Sequence, residues 1–167
     1  MAQPNPRYPT GVRDRALLRL YYRAGLRCSE ALALRPRDIN LAKCEVTVWK
    51  GKGDKDRVVW FDSTTAEILD RWRAIRPRSD WFFCTLAGGQ VHDSHVRHMV
   101  ARRGAKAGIA IRCHPHQLRH SFACEMLEDG FSVYELQKMM GHADLETTAR
   151  YLHLVDEQLA SRLRERG

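Results

Sequence analysis

The chain has 167 residues, 44% of them apolar, and a formal net charge of +8, enough to bury the core of one domain. No stretch approaches the roughly 18 apolar residues that would span a bilayer. Five scattered cysteines, odd in number and without a CxxC pair, argue against a disulfide framework and fit reduced thiols in a cytoplasmic protein. The positive charge favours a polyanionic partner through counterion release, although charge alone does not separate nucleic-acid binders from other basic proteins.

Residues 1 to 11 read as an irregular, polar, proline-rich lead-in. The segment VRDRALLRLYYRAG, from Val12, repeats apolar side chains at helical spacing and stops at Gly25, which predicts a helix that delivers Arg27 to a loop. Ser29 is expected to cap a second, short helix, SEALALR, with Pro36 as its stop. Arg27 would then stand beside a helix N-terminus, where backbone N–H groups favour an anion.

EVTVWKGKGDKDRVVWF alternates apolar and polar residues about a glycine-rich, charged centre, the pattern of an antiparallel hairpin with Lys52 projecting from its tip. TTAEILDRWRAI reads as an amphipathic helix, WFFC as a short buried strand and AGGQ as a turn, before a helix from about Asp93 to Lys106. HPHQLRHSFACEMLEDG should open a helix near Pro115 and close it at Gly130, with His116 and Arg119 on one face at i and i+3. SVYE, residues 132 to 135, has the form of a capping box and starts a helix ended by Gly141. Asp144 can cap a further helix carrying Tyr151, and the tail is amphipathic through Val155, Leu159 and Leu163. The expected fold class is α+β, mostly α-helical, with a small antiparallel sheet or β-hairpin.

Six residues in these elements match the needs of metal-free phosphodiester cleavage: Arg27, Lys52, His116, Arg119, His142 and Tyr151. Attack on phosphorus builds charge on the nonbridging oxygens, and preorganised cations aimed at that charge are the main catalytic device. Arginine suits the task because its planar fork meets two phosphate oxygens and keeps its proton. A phenol such as Tyr151, activated by nearby cations, is a competent nucleophile and leaving group. Singly, each signal is weak: an HxxR pair on a helix is more often solvated, and a lone tyrosine is usually core or surface.

The strings around these residues carry more. GLRCSEALALR, GKGDKDRVV, HPHQLRHSFA and MMGHADLETTARYLH, in that order, resemble the catalytic domain of the tyrosine recombinases of the phage integrase and Xer type, from about Val12 to the end. The resemblance implies a 3′-phosphotyrosyl intermediate on Tyr151, with Lys52 protonating the departing 5′ oxygen. It also implies that His116 is general base or proton shuttle and that His142 hydrogen-bonds a nonbridging oxygen; His120, which follows the motif's arginine, is assigned a supporting position only. The domain is expected to span residues 12 to 167, without the N-terminal core-binding domain that most of the family carries, as either a minimal enzyme or an excised catalytic domain.

Double-stranded DNA is the expected partner, bound by a homotetramer whose free form could be a monomer; no membrane and no cofactor or metal are expected. Lys50, Lys55 and Arg57 around the hairpin, and Arg97, Arg102, Arg103 and Lys106 on the later helix, are expected phosphate contacts. His92, His95 and His98 recur every three residues but lack the i, i+4 pair and nearby acid of a zinc hydrolase. Cys113, His114 and His116 are better read as the approach to the HxxR helix. Two alternatives stand beside recombination: a nicking-closing enzyme of the type IB topoisomerase kind, and a catalytically idle DNA-binding or assembly module.

Overall fold

The computed structural model describes residues 4 to 49, 56 to 141 and 164. Among them are six helices and a small sheet: α1 (Pro9–Arg23), α2 (Cys28–Ala33), β1 (Ile39–Asn40), β2 (Glu45–Val48), β3 (Arg57–Trp60), α3 (Ser63–Ile75), α4 (Asp93–Lys106), α5 (Pro115–Glu128) and α6 (Val133–Met140). A turn of 3-10 helix, Pro36–Asp38, joins α2 to β1. The mostly helical α+β architecture matches the sequence expectation.

The helix α1 begins at Pro9 rather than Val12 because proline, which has no N–H to lose, fits the first helical turn. Its inner face, with Ala16, Leu17, Leu20 and Tyr21 fully buried, packs against α3 and α5. Arg19 carries this packing to the surface, donating to both Asp62 oxygens at 2.7 and 2.9 Å, while the same Asp62 caps α3 by accepting from the Thr65 N–H at 2.7 Å. Together α1 and α3 enclose a core that includes Trp72, Phe82, Phe83, Leu69 and Met99. A second cluster, Phe122, Ala123, Leu127, Leu136 and Met140, holds α5 to α6.

The sheet is antiparallel in the order β1-β2-β3. The hairpin registers Glu45 with Trp60 and Val48 with Arg57, as the alternation predicts, and β1 adds a third strand that the sequence does not announce. Val46, Val48 and Val59 point into the core while Trp49, Val58 and Trp60 face outward. The expected tip, with Lys50, Lys52 and Lys55, lies outside the described residues.

WFFC is buried but is not a strand. Only Cys84 forms a ladder bridge, to Gln90, and side chains satisfy much of the remaining backbone. The Phe82 carbonyl accepts from the Trp72 indole at 2.8 Å and the Arg76 Nε at 3.1 Å, and the Trp81 carbonyl accepts from Arg76 Nη2 at 2.7 Å. Ser29 is likewise not the cap of α2. Arg27 holds the N-cap position, and the Glu30 carboxylate satisfies its backbone N–H at 2.8 Å. By contrast Ser132 caps α6 as expected, exchanging hydrogen bonds with Glu135, and Gly141 ends that helix in the left-handed conformation.

Candidate active site

Two helix ends and one strand converge beside α2. The chain leaves α1 through Gly25, at φ +60°, and its next turn sets Arg27 at the mouth of α2. Arg119 enters from the first half of α5 and Arg57 from the start of β3, while the end of α6 presents carbonyls. The common element is Glu30, whose side chain is only 11% exposed.

Arg57 grips both oxygens of this carboxylate, Nη1 to Oε1 at 2.9 Å and Nη2 to Oε2 at 2.8 Å, the two-point geometry that favours arginine over lysine. Arg27 donates from Nη1 to Oε1 at 2.9 Å, and Arg119 Nη1 stands 3.9 Å from Oε2. Burial would raise the Glu30 carboxyl, but the hydrogen bonds from Arg57 and from the Arg27 backbone and side chain outweigh it and bring the pKa down to about 2. Glu30 is therefore charged at neutral pH, and three guanidinium groups against one carboxylate leave the cluster net positive.

The guanidinium groups also fasten the helix ends. Arg119, itself buried, donates to the Gly25 carbonyl and to the Met140 carbonyl at 2.8 Å. Arg27 Nη2 reaches the Gly141 carbonyl at 3.4 Å, and Arg57 Nε the Met139 carbonyl at 3.2 Å. These carbonyls lie at the negative ends of α1 and α6, where cations are favoured.

The structure thus brings together Arg27 and Arg119 of the six expected catalytic residues. Arg27 keeps 37% of its side chain exposed and is the more accessible of the two. His116 lies one turn before Arg119 on α5 and is exposed, as is His120, whose Nε2 sits 3.6 Å from Cys124 Sγ. Lys52, His142 and Tyr151 lie outside the described residues, although His142 directly follows Gly141 and Lys52 belongs to the segment between β2 and β3. Asp144, Leu159 and Leu163 also lie outside. Cys28, next to Arg27, is no rival nucleophile: burial and a hydrogen bond with Asp93 push its thiol up to about 12.

Arg57 departs from its expected place. It turns inward, with 8% of its side chain exposed, because a buried carboxylate needs a well-matched cation. Arg102 and Lys106 are exposed on α4, Arg97 is exposed and pairs with Asp93 at 2.9 Å, and Arg103 is half-buried. Among the three histidines near α4, His95 meets the Arg13 guanidinium at 2.8 Å. Sequence reasoning misses Glu30. Its signal is the acid three residues after Arg27, the capping-box spacing, inside a string whose arginine draws the attention.

Comparison with known proteins matches residues 1–158 to the Phage integrase family. Tyrosine recombinase XerC of Yersinia pestis is 40% identical over 157 residues, 92% of this chain and 52% of the relative, and XerC of Serratia marcescens is similar to the same degree. The chain spans about half the length of the curated relatives it matches. Among solved structures, the XerA recombinase superposes with a TM-score of 0.82 at 30% identity, covering 94% of this chain and 59% of XerA. XerH, a site-specific recombinase bound to its difH substrate in a pre-cleavage complex, gives 0.77 at 31% identity, covering 92% and 46%.

Proposed function

The chain belongs to the phage integrase family, and from that premise we propose that it is the catalytic part of a site-specific DNA recombinase, cleaving and rejoining strands through a 3′-phosphotyrosyl bond to Tyr151. The observation that carries this reading is the joining of Arg27 and Arg119, distant in sequence, on the single carboxylate of Glu30. Two fixed guanidinium groups beside one another are what a phosphorane-like transition state requires. The likeness to XerC and to DNA-bound XerH supports the same reading.

In this proposal residues 12 to 167 form the catalytic domain. Arg27 and Arg119 hold the nonbridging oxygens, His142 donates to one of them, and Tyr151 attacks phosphorus as His116 manages its proton. Lys52 protonates the departing 5′ oxygen. The phosphotyrosyl bond keeps the diester energy, so rejoining by a 5′ hydroxyl needs neither nucleotide nor metal. Lys50, Lys55, Arg97, Arg102, Arg103 and Lys106 contact phosphates, and the active assembly is a homotetramer on double-stranded DNA. Free thiols at all five cysteines fit a cytoplasmic setting; no described helix is long and apolar enough to cross a membrane.

Covalent trapping tests the reading. Nicked duplexes with a randomised centre are incubated with protein, and DNA bound through an SDS-resistant link is recovered and sequenced. Wild type should give adducts that Tyr151→Phe abolishes; no adduct, or one indifferent to that change, defeats the proposal. Relaxation of supercoils without recombinant products would favour a nicking-closing enzyme, and tight binding without adduct an idle DNA-binding module.

A further inference from the structure

Arg57 uses every edge of its guanidinium. Nη1 and Nη2 take the two oxygens of Glu30 at 2.9 and 2.8 Å, and Nε takes the Met139 carbonyl at 3.2 Å. Gly141 lies against the same side chain so closely that a Cβ there would stand 2.7 Å from Arg57 Cδ. One arginine at the start of β3 therefore touches both the anion that Arg27 and Arg119 share and the end of α6.

We propose that Arg57 is a positioning residue for the Arg27–Arg119 pair: by engaging both oxygens of Glu30 it keeps that carboxylate from neutralising the pair, and it fixes the end of α6 beside them. This rests on the functional reading above. In the structure the Arg27 guanidinium holds only Oε1, shared with Arg57, while the Arg27 backbone N–H takes Oε2 at 2.8 Å and Arg119 stands off at 3.9 Å. Without Arg57 the carboxylate is released to grip Arg27 with both oxygens and to close on Arg119. The cluster then falls from two net positive charges to one, in a partly buried setting where a single charge acts strongly on an approaching phosphate. Lysine can substitute only in part, since its ammonium supplies a charge beside Glu30 but cannot span two carboxylate oxygens and a carbonyl in this geometry. The role differs from phosphate contact, because the Arg57 side chain faces inward.

The test compares wild type, Arg57→Met, Arg57→Lys and the double variant Arg57→Met/Glu30→Gln. Glutamine removes the competing charge, yet its amide oxygen still accepts from the Arg27 N–H. Adduct formation is followed on a captured duplex, with DNA affinity measured separately at low salt. Arg57→Met should lower the cleavage rate about tenfold or more with little change in affinity, and Arg57→Lys should fall between. Adding Glu30→Gln to Arg57→Met should restore the rate to within about threefold of wild type. A residue that merely supported the fold would show no such rescue. A double variant no better than Arg57→Met, or an Arg57→Met protein as fast as wild type, overturns the inference. If wild type itself makes no adduct, the functional reading fails separately, and the inference is decided by titrating inorganic phosphate against the Arg27 Nε–H resonance, with the same rank order expected and its absence counting against it. Should Arg57→Met not fold, Arg57→Lys with and without Glu30→Gln carries the same comparison: rescue by the second change supports the inference, and its absence overturns it.

Discussion

Gly25 is packed directly against the ring of Phe122. A Cβ at this position would lie 2.6 Å from Phe122 Cε1, and the backbone already sits at φ +60°. The same glycine offers its carbonyl to Arg119, so the close approach of α1 to α5 and the placing of Arg119 are one constraint. Gly25→Ala should destabilise the fold by about 3 kcal/mol, combining left-handed strain of about 1 to 2 kcal/mol with overpacking. Urea unfolding would measure this, and adduct formation should fall even where the variant is fully folded.

Glu30 ties stability to acid pH. Its folded pKa of about 2 lies below the ordinary value of 4.5, so its contribution is complete above pH 4.5 and lost as pH falls toward 2. The shift alone would correspond to about 3 kcal/mol; solvent screening at a partly exposed site brings the expected loss to roughly 1 to 2 kcal/mol. Thermal melts of wild type and Glu30→Gln should therefore differ most at neutral pH and converge through that window. A gap that is constant down to pH 2 would contradict the assignment.

Arg27 and Arg119 should fail in different ways. Arg27, at 37% exposure, is free enough for Arg27→Ala to leave melting within a few degrees of wild type while the cleavage rate falls by about 10²- to 10³-fold, the usual loss for one oxyanion donor. Arg119 is buried and fastens two helix ends. Arg119→Ala should lose both rate and roughly 3 kcal/mol of stability, because it strips buried carbonyls of their donor. Parallel melting and single-turnover measurements separate the two.

For Lys52, the leaving group is the diagnostic. Lys52→Ala should be severely slowed on ordinary DNA and recover most of its rate when the bridging 5′ oxygen is sulfur, which departs without a proton. EDTA should leave the wild-type rate unchanged. A defect that persists on the sulfur substrate removes Lys52 from the acid role.

Much of the scaffold is legible because periodicity and punctuation agree in it: the helix from Asp93 to Lys106, the Ser132 cap with its Gly141 stop, and the pairing of EVTV with RVVW all appear as read. WFFC misleads because apolar burial does not specify a ladder; the donors that satisfy it come from Trp72 and Arg76, at a helix the segment itself does not reveal. The strand Ile39–Asn40 is too short to carry an alternating pattern. At the site, Arg27 and Arg119 can be picked from their strings and Glu30 leaves only the local capping-box spacing, whereas the joining of Arg57 and Arg119 to Glu30 depends on contacts between residues far apart in sequence. A basic residue in a basic hairpin looks like a surface contact until its acid is found.

The fastening of guanidinium groups to carbonyls at the end of α6 and just beyond α1 makes local electrostatics hostage to global architecture. Unzip either terminus, and the cations disperse with it. A half-made or partly melted molecule would then offer no focused positive charge to an approaching anion, so that focus exists only once folding is complete.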